Sequence, residues 1–89
     1  MSDGVAIVSS YTNITPSGTS LSFEPNYSSV NAGGAAAGGA PTVTIDVLLA
    51  SQEQIMEAIN AAIVSDAAVN GINIVRVIHQ ATAFVVLDV

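Results

Sequence analysis

His79 is the sole histidine of the chain, and Arg76, three positions before it, is the sole cation. An imidazole works as a general base when a carboxylate orients it, and Asp46 or Asp88 would have to do so here. No HxH or HxxxH spacing accompanies it, so a histidine-based metal site is not indicated. The simpler reading is a strand-end histidine, at the surface or satisfied in an interface. Arg76 stands among apolar residues, where a guanidinium calls for a carboxylate. Asp46 or Asp88 would meet it, across the sheet or across a subunit boundary, with anion binding as the alternative.

The remaining chemistry is sparse. Asp46, Glu53, Glu57, Asp66 and Asp88 lack the spacing of a calcium loop. Glu53 and Glu57, one turn apart, read as a solvated helix face, with no neighbour to raise either pKa for glycosidase work. The glycine-rich run at 31–40 lacks the Gly-Lys-Ser/Thr ending of a phosphate loop. Its Gly34-to-Gly38 spacing matches GxxxG, which means little outside a membrane span. Cysteine is absent, which removes thiolate nucleophiles, disulfides and zinc-thiolate sites. No serine sits in a Gly-x-Ser-x-Gly elbow. The expectation is a protein that is not an enzyme, with no catalytic, cofactor or metal site.

Charge narrows the partners. One basic residue against seven acidic ones, a net charge of −6, cannot neutralise a phosphate backbone, so nucleic acid is not expected. Nor can it be drawn electrostatically to an anionic membrane. No apolar run reaches the ~18 residues of a spanning helix. The first residues are acidic and their apolar run stops at Val8, so synthesis in the cytoplasm without a signal peptide is expected.

The elements that must position these groups differ between the two halves. Residues 1–41 hold few aliphatic side chains: Val5, Ile7, Val8, Ile14, Leu21 and Val30. Yet Tyr11, Phe23 and Tyr27 are there, and only Phe84 lies in the second half. Residues 1–30 therefore read as a polar N-terminal arm, extended or folded as a β-hairpin over 5–12 and 19–23. Thr15-Pro16-Ser17-Gly18 would supply a type I turn. Its rings either cover the rest of the chain or anchor on another one. The small-residue run over 31–41 reads as a linker.

Residues 42–89 predict a compact α+β module of βαββ order. Alternation over 42–49 (Val43, Ile45, Val47 and Leu49 on one face) predicts a strand with one buried side. Ser51 and Gln54 form a capping-box pattern ahead of the stripe Ile55, Met56, Ile59, Ala62 and Ile63. The helix runs over 52–65, or to 69 with Asn70-Gly71 as its stop. Strands are predicted over 73–79 and 82–88. The first and second strands should be parallel across the helix, and the last should return antiparallel.

One helix covers one face of such a sheet. The last two strands are apolar on both sides, with Ile74 and Ile78 opposing Val75 and Val77, and Phe84 and Val86 opposing Val85 and Leu87. A strand buried on one side should alternate with polar residues. A module of 48 residues also has little core of its own, worth ~3–5 kcal/mol. Burial completed between chains is therefore expected, through Tyr11, Phe23, Tyr27, Ile74, Arg76, Ile78, Phe84 and Val86. The corresponding expectation is a self-assembling structural subunit, as homo-oligomer or on a host particle such as a phage virion, where capsid decoration, cement or tail-associated proteins serve. The alternative is a small dimeric regulatory or ligand-binding module with a half-ferredoxin-like sheet.

Overall fold

The computed structural model describes residues 2–31, 33 and 37–81 of the chain. They form an α+β fold, as the sequence predicts, with one helix on a five-stranded mixed sheet. Strands β1 (Ser2–Ser17) and β2 (Ser20–Asn31) are a long antiparallel hairpin. After them come β3 (Gly38–Gly39), β4 (Val43–Asp46), helix α1 (Gln52–Val69) and β5 (Ile72–His79). β2 is flanked by β1 on one side and by β3 and β4 on the other, and β5 lies parallel to β1.

The hairpin is thus the middle of the sheet and not an arm ahead of it. Val8, Phe23 and Tyr27 share one core with Val43, Ile45, Ile59, Ile63, Ala67, Ile72 and Ile74. The strands on either side of α1 are parallel in direction, as expected, but β2 and β1 are inserted between them. A split crossover of this kind lets the helix lie over the hairpin. It also removes the size argument for outside help, because the N-terminal half supplies core to the C-terminal half.

Local chemistry explains the other boundaries. The hairpin turns at Gly18-Thr19, two residues beyond the Pro16-Ser17 pair expected at its centre. Gly18 has φ +61° and Thr19 has none of that sign, the type II′ pattern, whose twist suits a hairpin better than type I. β1 carries two bulges, at Ser9 and around Asn13–Ile14, the latter with Asn13 at φ +52°. The first shifts the alternation so that Tyr11 follows Val8 onto the helix side, where it meets Phe23 edge-on at 5.8 Å.

β4 ends at Asp46, short of the strand expected over 42–49. The Asp46 carboxylate accepts the N–H groups of Leu48 (2.9 Å) and Leu49 (3.3 Å), a side-chain turn that competes with the strand ladder. Val47 and Leu49, read as the continuing buried face, are exposed instead. Helix α1 begins as predicted: Ser51 and Gln54 exchange both capping-box bonds. It runs on to Val69, and Gly71 at φ +77° ends it.

The 31–41 run does not hang free where it is described. Ala37 exchanges bonds with the Ser29 hydroxyl (2.9 and 3.0 Å) and Gly38–Gly39 pair with β2. A Cβ on Gly39 would lie 2.5 Å from Asp66 Oδ2, so a larger residue there would have to displace the carboxylate that Tyr27 holds. The strand predicted over 82–88 lies outside the described residues.

Candidate interaction face

β5 contains the feature that decides which residues meet. Gly4 pairs with Ile74, but Val5 pairs with Arg76, so Val75 is an extra residue in the ladder. A bulge flips the side-chain alternation beyond it. Ile72 and Ile74 therefore point under the helix with Val77 and His79, whereas Arg76 and Ile78 point to the other side. The face expected to hold Ile74, Arg76 and Ile78 together does not exist, because the bulge divides it.

The face away from α1 is assembled from three strands. On β1 it carries Asp3, Val5 and Ile7, alternating with Gly4, Ala6 and Val8 on the helix side. On β2 it carries Ser28 and Val30, since Tyr27 and Ser29 are buried. On β5 it carries Asn73, Arg76 and Ile78. Register places Val5 between Val30 and Arg76, and Ile7 between Ser28 and Ile78. Val5, Ile7, Val30 and Ile78 thus form a contiguous apolar patch, with Val30 62% and Ile78 37% exposed.

Arg76 lies at the side of this patch and makes no ion pair among the described residues. Of the acids expected to meet it, Asp46 caps its own turn at the far strand and Asp88 is outside the described residues. Asp3 shares the face with Arg76, and its Oδ1 accepts a 3.0 Å bond from Asn73 Nδ2.

Among the other residues expected at an interface, Phe23 has no exposure and Tyr27 almost none, so neither ring is available to another chain. Tyr11 is half-buried against the same core. Ile74 is buried beneath the helix. Phe84 and Val86 lie outside the described residues. Val5, Ile7, Val30 and Asp3 were missed by sequence reading. The signal was the run Val5-Ala-Ile-Val8, which is apolar at both alternating sets and so cannot be satisfied by one helix.

Two titratable groups on the helix side, Tyr27 and His79, are hydrogen-bonded within the fold. The Tyr27 hydroxyl donates to Asp66 Oδ2 at 2.5 Å, and burial, then this bond and the carboxylate charge, push its pKa well above the usual phenol range. His79 Nε2 lies 2.9 Å from Asn60 Oδ1. With the amide oxygen as acceptor, Nε2 carries the proton and the buried Nδ1 is bare and unpartnered. Burial lowers the His79 pKa, which keeps the ring neutral. No carboxylate bonds to it, so the orienting acid that a general base needs is not in place among the described residues. An open depression of about 440 Å³ lies along α1, lined by Gln52, Glu53, Met56, Glu57 and Asn60. No group of three or more potential metal ligands occurs among the described residues. No described helix is long and apolar enough to cross a membrane.

No family model matches the chain, and no curated protein or solved structure is significantly similar to it.

Proposed function

We propose that the protein is a non-enzymatic structural subunit that assembles with copies of itself or within a larger particle. The observation that carries this reading is the sheet face away from α1, where the described residues leave Val30 and Ile78 exposed beside the half-buried Val5 and Ile7. Contiguous apolar patches of this kind mark interaction surfaces. The chain's low charge, 9% of residues, adds support, because few groups need desolvation when subunits pack. The concrete form we favour is a capsid decoration, cement or tail-associated part of a phage, which the Ala-, Gly-, Ser- and Thr-rich composition suits.

The mass of the native species in an extract of its source tests the reading. A species heavier than the 8.9 kDa chain, reduced to the single chain by Val30→Asp, supports it. A lone chain under those conditions, unaltered by Val30→Asp, contradicts it.

A second reading, a dimeric ligand-binding module, is favoured by the split crossover of β4, α1 and β5 over an inserted hairpin. It needs a ligand at Arg76 or His79. Arg76→Met separates the two roles open to that residue: altered assembly supports a pairing role, and intact assembly supports a ligand role.

A further inference from the structure

We infer that the open sheet face is an isologous contact between two copies of this chain, in which Arg76 of each copy pairs with Asp3 of the other. The inference rests on the subunit reading and names its partner. Three observations support it. The face is apolar at its centre, and the described residues leave Val30 and Ile78 exposed on it, the kind of patch that marks an interaction surface. It carries the chain's only cation, Arg76, which has no ion pair among the described residues. It also carries one carboxylate, Asp3, held by Asn73 through only one of its oxygens.

Register fixes how these groups relate. Arg76 is opposite Val5, and Asp3 is two residues before Val5 on β1. The cation and the acid are therefore diagonal neighbours flanking one apolar residue. A two-fold axis lying in the interface between them sets Arg76 of one copy over Asp3 of the other, twice, with Val5 beside the axis. Self-complementary faces of this type are what a closed dimer needs. With a net charge of −6, two copies repel at long range, so a favourable short-range pairing of the sole cation selects one orientation.

Sedimentation equilibrium of the full chain with charge reversals tests this. Asp3→Arg and Arg76→Asp should each weaken dimerisation at least about ten-fold, and the double reversal should recover to within about three-fold of the original. Both positions are exposed, and unchanged thermal unfolding of the monomeric fraction checks that the variants fold. A double variant as weak as the weaker single one overturns the pairing. An oligomer indifferent to all three variants also overturns it while leaving the subunit reading intact. A chain that stays monomeric to millimolar concentration, or a face protected within the monomer by residues 82–89 and opened by truncation after Ala81, overturns it as well.

Discussion

The hydroxyl of Tyr27 joins the hairpin to the helix through Asp66, and the ring around it is core. Removing only the hydroxyl, as in Tyr27→Phe, leaves the packing and loses a charge-assisted bond. The expected cost is about 1–2 kcal/mol, read from the urea midpoint at unchanged slope. His79 makes a different prediction, with its sign set by burial. Its folded pKa is below the unfolded value, so the unfolded chain binds the extra proton first. Stability should be full above about pH 6.5, the ordinary histidine value, and should fall as pH drops below it. His79→Gln should lack that part of the pH dependence when urea midpoints are compared between pH 7.5 and 5. An equal slope in the variant would assign the dependence to other groups.

At the scale of elements, the strands end where side chains compete with the ladder. Asp46 ends β4, so Leu49, 81% exposed, carries no core. Leu49→Ser should change stability by less than about 0.5 kcal/mol, whereas Ile45→Ala, four residues earlier, should cost about 2–4 kcal/mol. Comparable losses at both positions in chemical unfolding would contradict the turn. Helix α1 was legible from its cap, its stripe and its stop, because all three are local. β4 was over-extended because alternation continues through Val47 and Leu49, and the carboxylate that interrupts it offers no hydropathy signal. The bulge at Val75 was illegible for a stronger reason: it exists only in the ladder with β1. Ile74, Arg76 and Ile78 keep perfect two-residue spacing in sequence and still divide between faces. The aromatic residues misled similarly, since Phe23 and Tyr27 look orphaned until α1 is laid over the hairpin.

The whole molecule measures 42 by 21 by 18 Å, and the far end of the hairpin, residues 12–19, is exposed. One layer of helix covers one face, and the leading segment packs on its own chain, the first of the two arrangements open to its rings. Exchange of an N-terminal arm between subunits is therefore no part of the account. What persists is the other face, which the described residues leave open at Val30 and Ile78. The absence of cysteine makes this face directly measurable, since a single introduced thiol reports on one position. Val30→Cys places it in the patch, and Val69→Cys places it at the exposed end of α1. Thiol-labelling rates of both variants, followed from nanomolar to high micromolar protein, test the central claim. The account predicts that labelling at position 30 slows as concentration rises while labelling at position 69 does not; equal, concentration-independent rates at the two sites would contradict it.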